Sequence, residues 1–113
     1  MSVIDTLTFT ELQDNTGADF VVELLQAFLD DAPALFVTLH SAQASGDAAA
    51  FRRAAHSLKS NGTTFGAVEL GALARELEET PLPALGDQVG AKLAKLETVY
   101  AASAAALRSL CNG

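Results

Sequence analysis

The chain has 113 residues, enough for one domain, and half of them are hydrophobic, ample for a single core. Fourteen acidic residues against seven basic give a net charge of −7, which argues against nucleic acid and against an anionic membrane surface, so a protein is the expected partner. The absence of Trp, a low aromatic content and an abundance of Ala and Leu point to an all-α protein.

From the N-terminus, Thr8 is a plausible N-cap for a short helix through Phe9, Glu11 and Leu12 that ends near Asn15-Thr16-Gly17. A long helix follows from about Ala18 to Ala44, with Val21, Leu24, Leu25, Phe28, Ala32, Leu35, Leu39 and Ala42 at three-then-four spacing. Pro33 removes a hydrogen bond within it, so a bend or brief break is expected near Asp30 to Ala32. Gly46 ends that helix and Asp47 caps the next, which runs to about Phe65. Gly66 permits the reversal into a helix from about Ala67 to Glu79, with Leu70, Leu73, Ala74 and Leu77 inward, and Thr80-Pro81-Leu82-Pro83 stops it. The last helix spans about Ala84 to Cys111, with Val89, Leu93, Leu96, Tyr100, Ser103, Leu107 and Leu110 as a heptad-like seam. Four long striped helices joined by short turns predict an antiparallel four-helix bundle over 18–111, with a short additional N-terminal helix within 1–17, all in a single domain spanning 1–113.

Met1 to Asn15 has neither a basic n-region nor an apolar h-region, and no apolar run reaches the length of a membrane span. A cytoplasmic, monomeric protein is expected; Met1 suggests a free-standing chain, although a piece cut from a larger protein would begin in the same way. The lone Cys111 cannot form an internal disulfide, and reads either as an inert thiol or as a last core contact.

The residues that carry chemistry lie in Ala54-Ala55-His56-Ser57-Leu58-Lys59-Ser60-Asn61-Gly62-Thr63-Thr64-Phe65-Gly66-Ala67. At roughly 100° per residue, Phe51, Ala55, Leu58, Gly62 and Phe65 form a buried stripe, and His56 lies about 150° from its centre. Arg52, Lys59 and Thr63 fall within about 60° of His56 on the same wheel. The imidazole should therefore face water between cations. Imidazoles titrate near neutrality, so one ring nitrogen is available as a nucleophile toward phosphorus, and Lys59 can balance the charge that arrives. The small residues Ser57, Ser60 and Gly62 leave room for a second protein. His40 has no comparable setting and reads as a surface residue. Asp30-Asp31 and Glu78-Glu79 lack a histidine partner at ligand spacing and read as solvated helix faces, so no metal site is expected. No glycine-rich phosphate loop, H-E-x-x-H or G-x-S-x-G occurs, so the chain has no visible means of binding ATP.

The run A-A-H-S-L-K-S-N-G-T-T-F-G-A, followed by Leu70, Leu73 and Leu77-Glu78, resembles the histidine phosphotransfer (HPt) domain family of multistep two-component phosphorelays. Phe20 to Asp31, Ala32-Pro33, Leu35, Leu39 and Gly46-Asp47 extend the resemblance upstream, over about residues 18 to 79. Ser60 is the one departure, standing where the family most often has glycine. The resemblance implies a phosphocarrier and not an enzyme with its own ATP site. His56 would accept a phosphoryl group from a receiver-domain phosphoaspartate and pass it to another receiver aspartate, in a relay that includes a hybrid histidine kinase. Lys59 would steady the phosphoryl oxygens, with Arg52, Ser60, Asn61 and Thr63 in support. No intrinsic cofactor is implied; Mg²⁺ would sit on the receiver. A partly apolar surface beside the histidine docks the receiver in such proteins, which makes Phe20, Val22 and Ala27, together with Ser57 and Gly62, candidate contacts.

Two rival readings remain at this level. One is a docking or adaptor module of the same fold that binds a receiver or kinase without being phosphorylated; the intact His56-x-x-Lys59 argues against it. The other is the dimerisation and phosphoacceptor domain of a histidine kinase, which would need an ATP-binding domain and an H-E-x-x-x-P type of box that this sequence lacks.

Overall fold

The computed structural model describes residues 4–112, of Asn112 the backbone alone; Met1 and the rest of 1–3, and Gly113, lie outside. Its helices are α1 (Thr6–Thr16), α2 (Ala18–Ser45), α3 (Ala48–Phe65), α4 (Val68–Glu79), the single-turn α5 (Leu82–Leu85) and α6 (Val89–Asn112), with a 3₁₀ turn at Gly86–Gln88. There is no strand among the described residues. The long helices α2, α3, α4 and α6 form the expected antiparallel bundle, with α1 laid against α2 and α3. Among the described residues no helix is long and apolar enough to cross a membrane.

Three local expectations are corrected. The first helix starts two residues before Thr8, because Asp5 is the N-cap: its carboxylate accepts from the Leu7 amide at 3.2 Å and from the Thr8 hydroxyl at 2.9 Å. The brief break allowed for at Pro33 does not occur, since α2 is helical on both sides of it. The proline sits on the exposed face, and the buried Phe28, Ala32 and Leu39 hold the flanking turns against a cost of about 3 kcal/mol for an interior proline. The last long helix begins at Val89, not near Ala84, because Pro81 opens a separate turn, Leu82–Leu85, that breaks at Gly86 with φ 53°.

The core is the one the spacing predicts: Val21, Leu25, Phe28, Leu39, Phe51, Leu58, Phe65, Leu70, Leu77, Leu93, Leu96 and Leu107 are all buried. Cys111 is half-buried at its edge, and burial pushes its thiol up. Phe28 stacks on Phe65 at 5.7 Å between centroids and meets Tyr100 edge-on at 5.8 Å, tying α2, α3 and α6 together. This stack also fixes register. Phe28 of α2 faces Phe65 of α3, so antiparallel travel brings Leu35 and Thr38 level with Ala54 and Ser57, with which they line a shallow groove.

The packing that matters most for the site is α3 against α4. Gly62 and Gly71 are buried where the two helices cross. A Cβ on Gly62 would stand 3.2 Å from the Gly71 nitrogen and 3.4 Å from the Ala67 carbonyl oxygen, so bare backbone meets backbone here. Gly66, at φ 80°, makes the turn that starts this return, and its carbonyl accepts from the Asp5 amide at 2.7 Å.

Candidate functional site

From the Gly62/Gly71 crossing, six residues back along α3 lead to His56 and seven forward along α4 lead to Glu78. The antiparallel helices stay in step, so these side chains meet: His56 Nδ1 lies 2.6 Å from Glu78 Oε1, and Lys59 Nζ lies 2.7 Å from Glu78 Oε2. His56 is exposed, with 57% of its side-chain surface open, whereas Glu78 keeps only 18%. The Lys59 ammonium, and after it the His56 ring, hold the Glu78 carboxyl below its ordinary range. Glu78 is thus an acceptor at neutral pH, and Nδ1 is the atom that donates to it. In the neutral ring this leaves the lone pair on Nε2, turned away from Glu78. A recess of about 340 Å³ lined by Arg52, Arg53, His56, Ser57 and Glu78 surrounds the imidazole.

Glu78, expected from the sequence on a solvated face, is instead the partner of both His56 and Lys59. That reading fails because a carboxylate 22 positions from a histidine looks unrelated until the α3–α4 register is known; Leu77-Glu78 within the family pattern was the only available signal. His40 also has a carboxylate partner, Glu97 at 2.5 Å across α2 and α6, but both are exposed and no cation joins them, so the pair reads as a surface contact.

The remaining candidates divide. Arg52, Lys59 and Ser57 line the histidine's surroundings, and Ser60 is one turn on along the same exposed face. Thr63 shares that face but lies two turns, roughly 10 Å, from His56; it lines a groove with Lys59, Gly71 and Arg75. Asn61 is half-buried and about 140° around the helix from His56. Gly62 is buried against α4 and offers a partner no surface. Phe20, Val22 and Ala27 are exposed, but not at the histidine's end of the bundle. Phe20 is eight residues before Phe28, and His56 is nine before Phe65 on the antiparallel helix of the stack. Some 25 Å of helix axis therefore separates their levels, and Val22 faces a hollow shared with Arg108 and Cys111 of α6.

A small helical bundle that presents an exposed histidine beside a carboxylate and a lysine fits a phosphotransfer module, and the comparisons agree. The model of the Hpt domain matches residues 23–110, and the chain belongs to the Hpt domain family, which makes it a histidine phosphotransfer protein of phosphorelays. It is similar to the crystal structure of histidine-containing phosphotransfer protein B (HptB) from Pseudomonas aeruginosa PAO1, with 28% identity and a TM-score of 0.85 over 96% of this chain and 94% of that one. No curated protein sequence matches it.

Proposed function

We propose that His56 accepts a phosphoryl group from the phosphoaspartate of a response-regulator receiver domain and passes it to the aspartate of a second receiver, in a relay fed by a hybrid histidine kinase. The single observation that carries this reading is an exposed imidazole whose Nδ1 is held by Glu78 at 2.6 Å, leaving Nε2 as the nucleophile. The Nε2 lone pair attacks phosphorus while the bond to the aspartyl oxygen breaks and the carboxylate leaves. The transition state is loose, so positioning and charge supply most of the catalysis. As the N–P bond forms, the ring becomes cationic, and the Glu78 carboxylate, still accepting from Nδ1–H, offsets that charge. Lys59 keeps Glu78 ionised and steadies the incoming oxygens. Mg²⁺ is held by the receiver's own acidic residues, and the chain works as a cytoplasmic, monomeric carrier with no ATP site.

Incubation with a radiolabelled phosphoreceiver tests this. An acid-labile, alkali-stable label that appears on the wild type and not on a folded His56→Gln variant supports the reading. Absence of label with a broad panel of receivers points instead to a docking module that is never phosphorylated.

A further inference from the structure

We propose that Arg53, a residue that the H-x-x-K spacing does not single out, is the principal side chain that binds the phosphoryl group on His56, with Lys59 in a secondary part; this rests on His56 being the phosphoacceptor. The chain has seven Lys and Arg residues. Among the described residues Lys59 pairs with Glu78, Arg75 with Glu79 and Lys92 with Glu76. Lys95 and Arg108 belong to α6. Arg52 and Arg53 are the two cations beside the histidine that have no carboxylate partner among the described residues, in a chain with twice as many acids as bases. A pair of unneutralised guanidinium groups on an acidic protein is a site for an anion that arrives later.

Geometry chooses between them. A helical side chain leans toward the N-terminus, so the His56 ring covers the turn that carries Arg52 and Arg53. Glu78 takes Nδ1 from the α4 side, so Nε2, across the ring, points away from α4. Arg52 stands on the α4 side, where it lines a second recess with Leu77, Glu78 and Pro81. Arg53 borders both the histidine recess and the α2–α3 groove, in each case beside Ser57. The phosphoryl group on Nε2 therefore enters the space between the Arg53 fork and the Ser57 hydroxyl. Lys59 is already engaged by Glu78 at 2.7 Å and serves the carboxylate first. A planar guanidinium can take two phosphoryl oxygens at once, which an ammonium cannot.

The test uses phosphoramidate, a small anionic phosphoryl donor that needs no docking surface, beside transfer from a phosphoreceiver. Labelling of His56 by phosphoramidate is expected to slow about tenfold in Arg53→Ala, to recover partly in Arg53→Lys and to change less in Arg52→Ala. The wild-type rate is expected to fall with added salt, and the Arg53→Ala rate to fall less steeply. The receiver equilibrium is expected to shift about tenfold toward phosphoaspartate in Arg53→Ala, with an unchanged thermal midpoint. Arg53→Ala labelling within twofold of wild type, with the same salt slope, overturns the assignment. A wild type that phosphoramidate labels at His56 but no receiver does would defeat the relay reading while the labelling comparison still decides Arg53. A wild type labelled no more than His56→Gln overturns both.

Discussion

The α3–α4 crossing allows a prediction with opposite signs at two neighbouring glycines. At Gly62 an added methyl meets only backbone, the Gly71 nitrogen at 3.2 Å, the Ala67 oxygen at 3.4 Å and the Gly71 Cα at 3.4 Å, and no rotamer change relieves it. The helices must separate by a few tenths of an ångström, an overpacking cost of about 1–3 kcal/mol, against a gain of about 1 kcal/mol for alanine over glycine in a helix. Gly62→Ala should therefore be destabilised by about 1 kcal/mol, or roughly 3–6 °C in a domain of this size. At Gly71 the added methyl meets the Thr63 hydroxyl at 3.2 Å, a terminal side-chain atom on an exposed residue, and nothing else closer than 3.7 Å. The helix-propensity gain then outweighs the contact, so Gly71→Ala should be neutral or stabilised by up to about 1 kcal/mol. Urea unfolding of the two variants measures both values on one scale. A Gly62→Ala protein more stable than wild type, or a Gly71→Ala protein less stable than Gly62→Ala, would refute the close-crossing argument. It would also undercut the account of how Glu78 reaches His56.

Further outcomes follow from the same site. Glu78→Ala should slow phosphoryl transfer by at least tenfold, and Glu78→Gln by less, because the amide oxygen still accepts from Nδ1–H while losing Lys59; equal rates for all three proteins in single-turnover transfer would remove Glu78 from the mechanism. The Glu78 carboxyl is depressed in the folded state, chiefly by Lys59 and then by His56, so its contribution to stability is complete above the ordinary carboxylate range and fades as pH falls through the folded value. The difference in unfolding midpoint between wild type and Glu78→Gln should shrink as pH falls below about pH 4; a difference that grows between about pH 4 and pH 2 contradicts the sign. Phe20→Ala, far along α2 from the histidine, should leave the receiver transfer rate within twofold of wild type, and a larger loss would show that the partner's footprint extends the length of the bundle.

The helices were legible because their signals are local. Apolar spacing of three and four residues marked the buried faces, and Gly46, Asp47 and Gly66 supplied stops and caps within a few residues of where they act. The errors arose where a local rule was overruled from outside its window. Pro33 costs a helix bond, but it lies on the solvent side of a helix that buried contacts on both flanks keep intact. Thr8 is a fair capping residue, but Asp5 caps first and binds the Thr8 hydroxyl to itself. Pro81-Leu82-Pro83 was a correct stop and an incorrect start, since a proline in the first turn of a short helix is as favourable as one after a long helix.

The site was half legible for the same physical reason. Whether His56 faces water is a question about one helix, and the wheel answers it. Which nitrogen of that ring is free is a question about two helices, and it turns on a crossing where a pair of glycines lets the backbones meet. The expected nearness of the docking candidates to the histidine failed on register: Phe20 and Val22 have the chemistry of a contact surface, but only the Phe28–Phe65 stack reveals that they stand opposite the far end of α3 from His56. Gly62 was read both as part of the buried stripe and as a surface left open for a partner, and one residue cannot be both. Its neighbours decide for burial, and in doing so they give it a larger part in the chemistry, because the distance between α3 and α4 that it permits is the distance across which Glu78 holds the histidine.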